Sequence, residues 1–172
     1  QVKVAQGTLT TGFTAVTGTA FTQLDGALTQ ILPAGITHNL VSQSADLVAI
    51  YGTVYYQNGF AGVVQSNVNI ALKAYIDSIS ISNLTGNKAV NYTGAIKVAA
   101  IEVAILNAGG VLDVNITRVV ARDYITPFAS AVVVYDLASG VNNRQYNTAA
   151  GYAIQEVTPN TWSNTLIYSA SI

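Results

Sequence analysis

Between Val63 and Ile79 the chain reads VVQSNVNIALKAYIDSI, and the way this stretch alternates with its flanks decides the fold. Val64, Val68, Leu72, Tyr75, Ile76 and Ile79 recur at three- and four-residue steps, the spacing of one helical face. Gln65, Asn69, Lys73 and Asp77 occupy the opposite, wet side. The pattern predicts a helix from about Gly62 to Ser78 whose apolar stripe needs a layer to cover. That layer is foreshadowed just upstream. Leu47 to Tyr56 is β-rich, with Val48, Ile50, Val54 and Tyr56 on one face, Gly52 between them, and Tyr51, Thr53 and Tyr55 on the other. Asn58-Gly59 closes it with a turn.

Working further toward the N-terminus, Ile36 to Val41 is a second β-rich run. Before it, Phe21, Leu24, Ala27, Leu28 and Ile31 mark a helix from Thr19 that Pro33 and Gly35 end. The opening QVKVAQGTLTTGFTAVTG reads as a short strand at Val2 and Val4 followed by a Thr- and Gly-rich loop. In the other direction, Ser80 to Thr93 is polar, with a turn at Thr85-Gly86-Asn87. A third helix is expected from about Gly94 to Asn107, capped by Thr93 and stopped by Gly109-Gly110.

The strand that follows, Val111 to Ala121, alternates strictly. Val111, Asp113, Asn115, Thr117 and Val119 share one face; Leu112, Val114, Ile116, Arg118 and Val120 share the other. Beyond Pro127 come three short β runs near Ala131–Tyr135, Tyr152–Val157 and Thr165–Ser169, with a polar, turn-like Ser139–Ala149 between the first two. The expected fold is α+β, three helices packed on a mixed or mainly antiparallel sheet with a β-rich C-terminal tail. It divides into segments 1–60, 61–126 and 127–172, or forms one compact domain.

Composition narrows the function. Of the 172 residues 51 % are hydrophobic and only 9 % charged, against roughly 25 % charged in ordinary soluble domains. Thr, Ser, Asn, Gln and Tyr replace the missing charge, which suits a surface covered by neighbouring subunits; an extracellular domain with an uncharged polar skin is the alternative. Seven scattered cations, with only Arg118 and Arg122 close in sequence, make no basic stripe for nucleic acid. The absence of cysteine excludes disulfides and thiolate metal sites. No apolar run reaches the length of a membrane span. The absence of methionine, even at Gln1, is expected of a processed or excised end.

The search for chemistry assigns no catalytic, cofactor-binding or metal-ligating residue, and the chain is expected not to be an enzyme. His38 stands alone, without a second histidine for a His-paired nucleophile or metal set, and is read as structural or merely exposed. Asp25, Asp77 and Glu102 fall on wet helix faces. A carbohydrate-acting enzyme would need two carboxylates converging in a Tyr-lined cleft. Gly7 to Gly12 (GTLTTG) lacks the Lys-Ser/Thr of a phosphate loop. The ten tyrosines suit cross-strand packing and interface contacts. Sequons at Asn83, Asn91 and Asn115 matter only in a secreted protein.

The central order resembles a known family. A strand ending VYYQNGF (Val54–Phe60), the helix around Val63–Ile79, the helix AIKVAAIEVAILNAGG and the strand VLDVNITRV together look like the C-terminal region of baseplate J-like proteins, wedge components of contractile phage tails. The motif positions are Ala71, Leu72, Tyr75 and Ile76, then Gly110, Val111, Asp113 and Val114. The run PAGITHNLVSQSADLVAIYGTVYY (Pro33–Tyr56) fits the family's turn and two strands. AAGYAIQEV (Ala149–Val157) is similar to a closing strand of some members. The resemblance covers residues 20–120 well and the tail loosely. It implies a structural subunit of a virion tail baseplate, without cofactor or catalysis, forming a homo-oligomer, as a dimer, among other tail proteins. The alternative is an extracellular or cell-surface filament, pilin or adhesin subunit that assembles by adding its N-terminal strand to a neighbour's sheet.

Overall fold

A computed structural model describes residues 2–8, 12–33, 35–80 and 94–171. The fold is α+β, with helices packed on one face of a six-stranded mixed sheet. Its centre is β5 (Asp46–Gln57), which pairs antiparallel with β7 (Val111–Arg122). Beyond β7 lie β8 (Val132–Asp136) and the short β9 (Val141–Asn142), both antiparallel. On its other side β5 is shared by two parallel strands in succession, β11 (Ala153–Gln155) and β12 (Leu166–Ser171). The sheet therefore draws strands from all three segments of the chain.

The helix α2 (Val64–Ser80) lays its stripe on this sheet as the periodicity requires. Val64, Val68, Leu72 and Ile76 are buried in one cluster with Val48, Ile50 and Val54 of β5, and each such side chain contributes about 1.5–3 kcal/mol. Beside it runs α3 (Val98–Leu106), shorter than its expected Gly94–Asn107 span, with Lys97 at its N-cap; Thr93, the expected cap, lies outside the described residues. Ala95–Lys97 forms β6 instead, pairing antiparallel with β10 (Gln145–Asn147) inside the segment read as turn-like. Backbone pairing to a distant segment outcompetes another helical turn here. The Tyr75 hydroxyl accepts from the amide of Lys97, the residue just before the helix, at 2.8 Å.

The strand β7 also departs from its reading. Two extra residues, Leu112 and Thr117, bulge out of its ladder with β5, and each bulge shifts the side-chain alternation by one. As a result Val111, Val114, Ile116, Val119 and Ala121 all face the helices, where strict alternation divides them between two faces. Gly52 lies opposite the second bulge. A Cβ there would collide with the carbonyl oxygen of Asn115, a backbone atom that cannot turn aside. Gly110, at φ +92°, is another glycine its site demands, lying against the Phe60 ring.

Among the described residues the N-terminal strands do not join this sheet, though Ala5 packs beside it against Ala45, Ala150 and Tyr152. β1 (Val2–Lys3) pairs in parallel with β4 (Leu40–Val41), the remnant of the expected strand Ile36–Val41, and β2 (Ala5–Thr8) pairs with β3 (Gly12–Ala15) where a loop is expected. Between these pairs runs α1 (Gly18–Ile31), close to its expected limits. Segment 81–93, with the turn at Thr85-Gly86-Asn87 and the sequons Asn83 and Asn91, lies outside the described residues.

Candidate interaction surface

Among the described residues, two open apolar or aromatic surfaces follow from where the strands and helices fall. The first is α1. Its stripe of Phe21, Leu24 and Leu28 is only partly shielded, Ile31 is 77 % exposed, and the helix buries none of its residues. Among the described residues it makes no extended contact with any other helix or strand. His38 returns to this helix and meets Asp25 at 2.9 Å, so the lone histidine acts as a structural contact between α1 and the loop after it.

The second surface is the sheet face turned away from the helices. Along β5 it carries Tyr51, Thr53 and Tyr55, flanked by Asn115, Asp113 and Arg118 of β7 and by Ile167 and Ser169 of β12, which the ladder places in the same rows. The Arg118 guanidinium lies 5.9 Å from the centre of the Tyr51 ring, with Asp136 3.4 Å from its Nε. Tyr51 is held in turn by a 2.8 Å bond to Asn160. Arg and Tyr side by side, pre-oriented by such bonds, are the residue types that anchor protein interfaces. Asn115, the one described sequon residue, stands exposed in this face.

Toward the other end of the same face, Leu47, Ala49 and Val120 are buried, and the polar side chains around them are tied into the fold. Arg122 donates from Nε and Nη2 to the two carboxylate oxygens of Glu156, each at 2.6 Å, and from Nη1 to the Thr126 carbonyl. Asp46, fully buried, accepts from the Tyr146 hydroxyl and from the amides of Ala149 and Ala150. Both buried carboxylates therefore spend their acceptors inside the fold. Asp77 pairs with Lys73 and Glu102 with Arg144. Among the described residues no group of three or more His, Asp or Glu side chains is placed to hold a metal ion. A groove of about 390 Å³ between α2 and β11 is floored by Ile76, Ala153 and Trp162, with the Lys73–Asp77 pair at its rim.

Neither the Arg122–Glu156 pair nor the Asp46 clasp was named from sequence. Their partners lie 34 and about 100 residues apart, and the one hint is that Asp46 stands at the head of a strand that is otherwise apolar.

Burial also sets a pH limit. Loss of solvent around the phenols raises the pKa of Tyr51, Tyr75, Tyr146, Tyr152 and Tyr168, the last to about 12, and the Asp46 carboxylate adds to the effect at Tyr146. The folded state thus favours the neutral phenol. Its stabilisation is complete below a free tyrosine's value of about 10 and is lost as pH rises from there through the higher folded values. Phenolate absorbance is expected to lag behind free tyrosine and then rise steeply together with loss of circular dichroism. Complete ionisation near pH 10 with an intact dichroism spectrum would contradict it.

The fold and its surfaces define an α+β protein with helices on one face of a mixed sheet and an aromatic, partly open opposite face. Comparison with protein-family models, with curated proteins and with solved structures finds no match for the chain.

Proposed function

We propose that the chain is a structural subunit that acts by assembly, as a component of a phage-type contractile-tail baseplate, and not by catalysis. The observation that carries this reading is α1, a 14-residue amphipathic helix with no buried residue. An apolar stripe left open in a chain with 9 % charged residues suits a surface that a neighbour covers. Phe21, Leu24, Leu28 and Ile31 follow a heptad for only two repeats, fewer than the roughly three to four that sustain a self-paired coil. The occupant is therefore an apolar groove on an unlike tail protein.

The order of β5, α2, α3 and β7 is the one on which the sequence resemblance to the wedge family rests, and it supports the baseplate assignment in that respect. Against the filament reading, α1, α2 and α3 are 14, 17 and 9 residues long, more helix than a nearly all-β subunit holds. The N-terminal strand, moreover, pairs with β4 in its own fold.

The test is the Leu24→Asp/Leu28→Asp double variant of the full-length protein. Because both side chains are already partly exposed, folding stability should change by no more than about 0.5 kcal/mol per site. Incorporation into purified tail particles should be abolished. Wild-type chain that never enters such a particle, or that buries less than roughly 1,000 Å² against any partner, would overturn the reading.

A further inference from the structure

The last strand of the sheet ends in an unguarded edge. β12 pairs with β5 along one side, and among the described residues no strand lies along its other side. Natural edge strands are blunted by charge, proline, bulges or brevity. β12 has none of these. It runs six residues without a break in register, and from Trp162 to Ser171 there is neither a charged residue nor a proline. Ile167 is 66 % exposed on the open sheet face. The remaining ends of the sheet differ: β11 lies beside α2 with the Lys73–Asp77 pair at the groove's rim, and β8 is capped by β9 and carries Asp136.

The direction of the free backbone groups follows from the ladder. Asp46 donates to the Tyr152 carbonyl and the Glu156 amide donates to Val48, so the even-numbered residues of β5 present their backbone groups to this side. In a parallel pair those groups bond to the residues of β12 in register with Thr53 and Tyr55, namely Ile167 and Ser169. The amides and carbonyls of Tyr168 and Ala170 and the carbonyl of Leu166 consequently point outward, while the Leu166 amide is taken by Trp162.

We infer that β12 is the contact through which a second copy of this chain docks, the two β12 strands pairing antiparallel about a two-fold axis at Tyr168. This rests on the assembly reading and names its homotypic interface. A two-fold axis sets each residue against the same patch on its mate, so any charge would sit near its own copy. The absence of charge from this edge removes that penalty and favours self-pairing over an unlike partner. With the axis at Tyr168, the two Tyr168 residues exchange both backbone bonds, and each Ala170 amide meets the partner copy's Leu166 carbonyl. All four bonds use groups that the single subunit leaves free. The Tyr168 rings come to lie opposite one another as a cross-strand aromatic pair. The result is one continuous sheet through both copies, a closed dimer and not a filament.

Sedimentation equilibrium of the full chain tests this. The expected mass is twice the 18.0 kDa of the chain. Ala170→Pro removes an outward amide that the fold does not use, and Ile167→Lys places a charge on an exposed position beside the seam. Each should weaken association at least about tenfold, equivalent to roughly 1.4 kcal/mol, while dichroism stays that of the wild type. Should Ala170→Pro fail to fold, Ile167→Lys alone decides. The α1 double variant should remain dimeric. A wild-type monomer at the highest soluble concentration, or a dimer that survives the β12 substitutions, overturns the interface. Loss of the dimer only in the α1 variant overturns it too, and leaves the assembly reading standing on another surface.

Discussion

Replacing Arg122 with alanine is expected to cost about 3–5 kcal/mol of folding free energy, because it strands a buried carboxylate. Glu156 is only 2 % exposed and Arg122 11 %, and the two side chains meet through a pair of parallel 2.6 Å bonds. The Glu156 hydrogen bonds hold the arginine's ionisation above its ordinary value, so the charged form is the one the fold keeps. Without the guanidinium, the amide of Val157 is the one remaining donor to that carboxylate among the described residues. A protein of ordinary stability, about 5–15 kcal/mol, would lose much of its margin. The pair itself need not be net stabilising, since desolvation offsets most of the attraction. Arg122→Met with Glu156→Leu is therefore expected to fall near wild type or above it. Urea unfolding of the three proteins checks both statements. A single variant that loses less than about 1 kcal/mol would show that Glu156 finds water or another donor.

The second large effect is expected at Trp162. Alanine there should cost about 3–5 kcal/mol, the range for deleting a buried aromatic ring. Trp162 is 4 % exposed and sits at the start of α4 (Trp162–Thr165), where the edge of β5 passes from β11 to β12. Its indole nitrogen donates to the Val48 carbonyl at 3.1 Å, and its ring belongs to the same cluster as Ile76, Ala153 and Leu166. Removing it opens a void beneath two strands at once. Since this is the chain's single tryptophan, unfolding of the variant has to be followed by circular dichroism. A loss below about 1.5 kcal/mol would mean that α2 and β11 close over the gap.

How far the fold was legible depends on the range of the interactions that set each element. The α2 stripe was legible because helical periodicity is written in residues three and four apart, and the buried set of Val64, Val68, Leu72 and Ile76 follows it. The limits of α1 and the inward face of β5 were legible for the same reason. β6 was not, because Ala95 to Lys97 continues an apolar helical pattern and becomes a strand only in the presence of β10, about 50 residues on. The inward face of β7 was not legible either, since two bulges change its phase and no local residue marks them. Of the candidate surface, the apolar stripe of α1 could be read, but not that it stays uncovered. Tyr51 and Arg118 could be placed on strands, but not side by side.

By itself the sequence determined the class: three amphipathic or apolar helical segments, β runs of alternating faces, and very little charge. These are properties of composition and of the short repeat of the backbone, and they hold wherever the segment ends up. The tertiary structure alone decided that β11 and β12 share one side of β5, that Arg122 meets Glu156, and that among the described residues the stripe of α1 and the outer edge of β12 are left open. Such pairings join segments tens of residues apart. Each is selected by the summed packing and hydrogen bonding of the whole sheet, to which no single stretch of sequence carries more than its own half.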